Sequence, residues 1–352
     1  MKNKLFSLIL ALSILLCGCA FVVEPLPTPG LDPDSTGDNM LTVHYIDVGQ
    51  ADCALIETED KFVLIDGGNK EDGQLVISYL QQQGVEELEA VICTHAHEDH
   101  VGGLPSVLAV FPTKAGYAPT RTYSSNIFDD FVYYTDQQGL EITIPSPGDD
   151  FIVGQTRFTV VGPTQSYAET NDTSIIILLE HVENRFLFTG DMEVAAENDM
   201  LDYWGSRVDW NVDVLKVGHH GSDTSSGYRF VYETDPEYAI ISVGEGNSYG
   251  HPHESVISRY SDAGIPMFRT DKLGTILAVS DGYNITITWE NQNVSPEDVE
   301  QGEAITYIGN RNSQKFHAPD CKNLPGEKNR VEFDSYEDAI AAGYTPCGSC
   351  LG

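Results

Sequence analysis

The sequence predicts an α/β protein of two mixed sheets flanked by helices, followed by a small module stapled by a metal ion. Three observations carry this expectation. From Leu41 to Trp289, short β-branched and apolar runs alternate with turns and occasional helical periodicity, a pattern that packs as two sheets covered by helices. Seven of the ten histidines fall in three tight clusters (95–100, 219–220 and 251–253), each on a loop beyond a strand or beside a turn. A rigid scaffold tends to carry its chemistry at such places. Residues 305–352 hold His317, Cys321, Cys347 and Cys350 at spacings suited to structural zinc.

In chain order, Met1–Lys4 is basic, Leu5–Leu16 is apolar but too short for a typical membrane span, and Cys17-Gly18-Cys19 follows. Residues 1–19 therefore read as an export signal. Leu16-Cys17-Gly18-Cys19 resembles a bacterial lipobox, which would make Cys19 the lipidated mature N-terminus and anchor the protein outside the cytoplasm. Ordinary secretion and an uncleaved anchor are the alternatives. Residues 20–40, rich in Pro and Asp, read as a disordered tether.

Strands are expected at Thr42–Asp47, Ala54–Glu57, Lys61–Asp66 and Leu88–Cys93. A helix fits Gly73–Gln83, with Leu75, Val76, Tyr79 and Leu80 on one face, and a short one fits Pro105–Phe111. Further strands fit Phe158–Val161, Ser174–Leu179, Arg185–Phe188, Val212–Lys216 and Tyr238–Val243. A final hairpin fits Thr275–Val279 and Ile285–Trp289. Residues 41–290 thus form the main domain, 291–304 a linker and 305–352 the terminal module. Cys53 and Cys93 fall in the strand regions and read as buried hydrophobes.

The chain carries 19 Lys+Arg against 54 Asp+Glu, a net charge of −35. Residues 1–18 hold two lysines, and residues 305–352 hold five basic and six acidic residues. The stretch between therefore has 12 basic against 48 acidic residues. So acidic a domain repels polyanions at long range, which excludes tight non-specific nucleic-acid binding over its whole surface. Action on a phosphate ester whose charge is met by metal remains open to it.

Thr94-His95-Ala96-His97-Glu98-Asp99-His100 packs four metal-ligand side chains into six positions. Imidazole and carboxylate together suit a divalent transition metal. His95 and His97 point the same way in an extended segment, while Asp99 and His100 turn toward a neighbouring position. One pair thus serves each of two metals. Thr189-Gly190-Asp191 follows a strand and offers a carboxylate able to bridge two cations. His219-His220 and His251-Pro252-His253 add imidazoles. His44 and His181 read as satisfied strand histidines. Asp47, Asp52 and Asp66 are expected either to orient ligand histidines or to serve turns, and Lys216 and Lys272 to be surface lysines, with phosphate contact the alternative.

These pieces, with Asp66-Gly67-Gly68, Asn171-Asp172-Thr173-Ser174 and Arg269-Thr270-Asp271, resemble the metallo-β-lactamase-fold hydrolases. The likeness is closer still to the hydrolase domain of the ComEC competence proteins, and covers about residues 41–290. The resemblance implies an αβ/βα sandwich holding two divalent ions, Zn or Mn, at one edge. It implies that His95 and His97 bind one metal, Asp99 and His100 the other, and that Asp191 bridges them. One of His219 and His220 would complete the first site and His251 the second. The β-lactamases have a further ligand histidine where this chain has Asn171-Asp172, a departure shared with the ComEC type that points toward phosphate esters. Two such ions would generate a bridging hydroxide, with Asp99 among the catalytic residues and His220 or His253 assisting the leaving oxygen.

In the tail, His317-x3-Cys321 and Cys347-x2-Cys350 resemble the zinc-binding module of Ada-type repair proteins. A chain this short needs such a staple to fold alone. A disulfide is the rival, though three cysteines cannot all pair. The near-neutral tail is the expected contact for nucleic acid or cell wall. The leading functional expectation is a surface-anchored phosphodiesterase, nuclease-like, acting on single-stranded DNA or another phosphate ester. A phosphocholine or teichoic-acid esterase acting on a cell-wall polymer is one alternative, and a non-enzymatic DNA-binding or DNA-uptake lipoprotein is another.

Overall fold

A computed structural model describes residues 40–295, 299, 305–319, 321–348 and 350–351. The expected export signal with Cys19, nearly all of the expected tether and most of the expected linker lie outside the described residues.

The first sheet is built from β1 (Leu41–Tyr45), β2 (Ala54–Thr58), β3 (Lys61–Ile65), β4 (Ala90–Ile92), β5 (Gly116–Tyr117) and β6 (Ile142–Thr143). The second comprises β7 (Asp150–Val153), β8 (Thr156–Gly162), β9 (Ile176–His181), β10 (Asn184–Phe188), β11 (Val214–Lys216), β12 (Tyr238–Ile241) and β13 (Met267–Arg269). A hairpin, β14 (Ile276–Ser280) and β15 (Ile285–Trp289), returns to the first sheet, whose order becomes β15-β14-β1-β2-β3-β4-β5-β6. The second runs β13-β12-β11-β10-β9-β8-β7.

Side chains alternate across each strand, and that alternation divides the interior into three layers. Val63 and Ile65 of β3 join Phe186 and Phe188 of β10 between the sheets. Phe62 and Leu64 face outward to Val76, Leu80, Leu104 and Phe128, and Leu187 faces outward to Met200, Trp204 and Tyr260. Strands covered on both faces read as continuous apolar runs, as Phe62–Ile65 does. The edge strand β15 instead alternates half-buried and exposed residues.

The outer layers are α1 (Gly73–Gln82), α2 (Glu98–Val101), α3 (Leu104–Leu108) and α4 (Asn126–Gln137) on the first sheet, and α5 (Val194–Trp204), α6 (Tyr228–Thr234) and α7 (Glu254–Asp262) on the second. One further turn, α8 (Thr270–Leu273), follows β13. The buried face of α1 is Gly73, Val76, Ile77 and Leu80. Leu75, expected inside, is 46% exposed. Helical spacing from Val76 and Leu80 carries the stripe through Ile77 rather than through Leu75.

β3 and β4 run parallel, as do β10, β11 and β12. Their carboxyl ends meet at one edge, where open α/β sheets present their chemistry. The tail forms its own sheet from β16 (Tyr307–Asn310), β17 (Lys315–His317), β18 (Arg330–Phe333) and β19 (Thr345–Pro346), with α9 (Tyr336–Ala341). Its buried apolar cluster is small: Tyr307, Phe316, Ala318, Ala339 and Leu351. Tyr336 meets the rings of Tyr228 and Tyr232 on α6. Among the described residues no helix is long and apolar enough to cross a membrane.

Candidate metal centres

Every cluster in the main domain leaves the end of a parallel strand. Asp66 ends β3, Thr94–His100 follows β4, Gly190-Asp191 follows β10, and His219-His220 follows β11. Backbone bonds stitch these loops together. Gly67 N donates to His100 O at 2.7 Å, Asp52 N to Asp99 O at 3.1 Å, and His219 N to Gly190 O at 3.1 Å. At Gly190, with φ 51°, a Cβ would lie 2.9 Å from Ser174 Oγ and 3.0 Å from Thr94 Cβ, so only glycine fits. His219 and His220 both take left-handed φ, 49° and 52°. Such conformations cost on the order of 1–3 kcal/mol each and persist where the surroundings impose them.

Asp99, His100, Asp191 and His220 each bring one donor atom within 4.8 Å of all the others. His100 Nε2 lies 3.2 Å from Asp191 Oδ1, and His220 Nε2 lies 3.4 Å from Asp99 Oδ2 and 3.7 Å from Asp191 Oδ2. His100 Nε2, His220 Nε2 and Asp191 Oδ1 are buried without a hydrogen-bond partner. Three orphaned donors converging on one point fit a cation, since buried polar atoms are otherwise paired. Beside them His95 Nε2 lies 3.1 Å from His97 Nδ1 and 3.8 Å from Asp191 Oδ2. Asp191 therefore stands between the His95–His97 pair and the second set.

The histidine pair at 219–220 divides by geometry. His220 Nδ1 lies 3.0 Å from the Ser242 carbonyl oxygen. A carbonyl can only accept, so Nδ1 carries a proton, and Nε2, facing Asp99 and Asp191, is the ring atom left for a cation. His219 is partly exposed, with Nδ1 3.1 Å from Thr224 Oγ1 and 3.4 Å from Glu193 Oε1, and Nε2 3.8 Å from Asp191 Oδ2. Asn171 Nδ2 lies 3.4 Å from His219 Nε2 and donates to Glu193 Oε1 at 3.2 Å. Thus His220 sits in the second set rather than the first. His251 lies outside it, ring centroid 6.4 Å from that of His220, with Nδ1 3.3 Å from Gln50 Nε2. His253 is further out and accepts from Asp223 N at 2.9 Å.

Behind the donors, His100 Nδ1 lies 2.8 Å from Asp66 Oδ2, and Asp66 in turn accepts from Thr94 N and Thr94 Oγ1, both at 2.7 Å. Asp52 Oδ1 lies 3.2 Å from His220 Nδ1. Asp52 and Asp66 thus back the imidazoles, whereas Asp47 Oδ1 accepts from Gly49 N at 3.1 Å and serves a turn. Lys272 is exposed. Lys216 is not a surface residue: it is 4% exposed and its Nζ lies 2.7 Å from Asp52 Oδ2. The signal was in the sequence, because a lysine closing an apolar run in a covered strand needs a buried partner.

The fields here are large. Burial disfavours a charged His100, yet Asp191, Asp66 and Asp99 hold its pKa well above the ordinary value. Against burial, His100 and His220 hold Asp191 well below the carboxylate range. Burial also opposes the charge on Asp52, but Lys216 and His220 bring it down to about 2. His95, buried and beside His100, is pushed well below its usual value. Burial, with His220 and His219 nearby, lowers His251 to about 4.

His44 and His181 are satisfied strand histidines: His44 Nδ1 lies 2.8 Å from Tyr79 Oη, and His181 Nδ1 lies 2.9 Å from Thr156 Oγ1. Cys53 and Cys93 are buried free thiols. In the tail, donor atoms of His317, Cys321, Cys347 and Cys350 lie within 4.8 Å of one another, and the three thiols are unbridged. That set fits a tetrahedral zinc site.

The family model for the metallo-beta-lactamase superfamily matches residues 46–245, and that for the metal binding domain of Ada matches residues 298–351. The chain belongs to the metallo-beta-lactamase superfamily of metal-dependent hydrolases and carries an Ada-type metal-binding module at its C-terminal side. Its relatives include ComE operon protein 3 of Bacillus subtilis, 31% identical over 58% of this chain and 26% of that protein. Competence protein ComA of Neisseria gonorrhoeae is 26% identical over 69% of this chain and 33% of that protein. The chain thus spans between a quarter and a third of these two relatives. Among solved structures, the metallo-beta-lactamase fold protein YhfI from Bacillus subtilis aligns with TM-score 0.49 and 13% identity, covering 68% of this chain and 99% of that one.

Proposed function

We propose that this chain is a two-metal phosphodiesterase, nuclease-like in its chemistry and held outside the cytoplasm by a lipid at Cys19. The observation that carries the reading is the convergence of partnerless His100 Nε2, His220 Nε2 and Asp191 Oδ1 beside the His95–His97 pair. His95 and His97 would hold one cation, Asp99, His100 and His220 the other, with Asp191 between them. Bound cations would supply a hydroxide nucleophile at neutral pH and neutralise phosphoryl charge. The chain's own residues then have defined tasks. Asp66 and Asp52 orient the imidazoles behind the centre, Asn171-Asp172 is where the resemblance puts a further β-lactamase ligand, and His251 and His253 are proposed to assist a departing group. The competence relatives support a nucleic-acid substrate, and Cys19 supports action at the membrane surface.

Acidic walls make the metals the principal attraction for a phosphate group, and place the first contact with a polyanion on the tail. There Asn310 pairs with both Lys315 and Arg330, with Arg311 adjacent, which gathers cations at one end of the small sheet. The test is hydrolysis of bis-p-nitrophenyl phosphate, single-stranded DNA and phosphocholine esters with added manganese or zinc, with His97→Ala as control. Turnover of the first two that the control loses supports the reading. Turnover of phosphocholine esters alone would replace it with the cell-wall esterase, and no turnover would leave a binding protein.

A further inference from the structure

We propose that Lys216 is a positioning residue for the metal centre, acting through Asp52 to keep His220 in its metal-binding tautomer and orientation. This rests on the metal-centre reading above and deepens it. Lys216, Asp52 and His220 are 4%, 6% and 1% exposed. Lys216 Nζ lies 2.7 Å from Asp52 Oδ2 and donates to the Val217 carbonyl at 2.8 Å, so the ammonium is fixed at both ends. Asp52 Oδ1 points the other way, 3.2 Å from His220 Nδ1, which also faces the Ser242 carbonyl oxygen at 3.0 Å. The Ser242 carbonyl can only accept, so Nδ1 carries a proton, with the Asp52 carboxylate beside it, and Nε2 is the ring atom turned toward Asp99 and Asp191.

Asp52 also anchors the opposite side of the site. Its N–H donates to Asp99 O at 3.1 Å and its carbonyl accepts from Gly68 N at 2.8 Å. Asp52 is therefore a hub: its carboxylate faces Lys216 and His220, and its backbone ties it to the Asp99 loop. Lys216 is the cation that keeps this buried carboxylate in place. Its own backbone belongs to β11, registered between Phe188 and Ile240, so the anchor is part of the sheet rather than of a loop. The chain enters the His219-His220 turn only three residues later, and the same strand end thus delivers both the ligand and the group that orients it.

The test is Mn2+ binding to the full-length protein with the tail zinc left in place, followed by electron paramagnetic resonance and calorimetry. Lys216→Met is expected to weaken the tighter Mn2+ site by about 10–100-fold, the scale for residues standing behind metal ligands. Asp52→Asn combined with Lys216→Met removes both charges, while the Asn carbonyl can still accept from His220. That double variant is expected to match Asp52→Asn alone within about threefold, because residues acting through one another are non-additive. Wild-type affinity in Lys216→Met, or a double variant whose loss is the product of the two single losses, would overturn the proposal. Should Lys216→Met not fold, the double variant decides by the same comparison with Asp52→Asn. Wild-type protein that binds two Mn2+ but hydrolyses no phosphodiester would fail the functional reading and leave Lys216 standing, whereas no Mn2+ binding at all would overturn both.

Discussion

The two donor sets of this chain are built by opposite routes. The main centre draws on residues from His95 to His220, delivered by strand ends whose own apolar cores are large and continuous. The tail centre draws on His317 to Cys350, beside a small apolar cluster that includes Tyr307, Phe316 and Leu351 among the described residues. In the first, packing precedes the ligands and holds them. In the second, the ligands stand where packing is too small to suffice. Nitrogen and carboxylate donors suit a labile catalytic ion, and thiolates suit a permanent one.

Four experiments would break or sharpen that contrast. The largest effect should fall on the tail. Cys347→Ser is expected to forfeit a zinc contribution on the order of 10–16 kcal/mol. Loss of one zinc by elemental analysis and of the tail's dispersed NMR signals would follow, with the main domain's melting transition retained. A tail that stays folded without zinc would end the contrast. Next, Asp191→Ala should lower phosphodiester hydrolysis by roughly a thousandfold or more, about 4 kcal/mol of barrier, while the far-ultraviolet circular dichroism stays unchanged. Unfolding would instead mean that the centre, like the tail, holds its fold together.

Third, Phe186→Ala opens the layer between the sheets and should cost about 3–5 kcal/mol in urea unfolding without changing metal stoichiometry. The smallest effect concerns His44, whose burial lowers its pKa to about 4. The unfolded chain then binds the proton first as pH falls from about 6.5 toward 4, so stability is full above that window and lost within it, by up to about 3 kcal/mol. His44→Gln should flatten that acid slope in urea titrations at pH 7 and pH 4.5, and an unchanged slope would remove His44 from the account.

Legibility followed length and periodicity. β3 and β10 could be read from their apolar runs, β15 from its alternation and α1 from its spacing, because a strand or an amphipathic helix writes its burial into the chain. The helix Asn126–Gln137 went unread although Ile127, Phe128, Phe131 and Thr135 form its buried face. Its aromatic and β-branched residues carry no helix preference, and packing overrides propensity. The strands Gly116–Tyr117 and Ile142–Thr143 are two residues each, too short for any pattern to show.

The ligand types of both centres were determined by the sequence itself, because a metal demands particular atoms at close spacing and few alternatives satisfy it. What the tertiary structure alone decided is which atom faces which partner. His220 rather than His251 stands beside Asp99 and His100, since Ser242 belongs to a neighbouring strand end and claims its Nδ1. Lys216 is buried because the Asp52 carboxylate, brought from a loop more than 160 residues earlier, lies 2.7 Å from its ammonium. Such pairings join segments far apart in the chain, and local pattern holds no record of the fold that makes them neighbours.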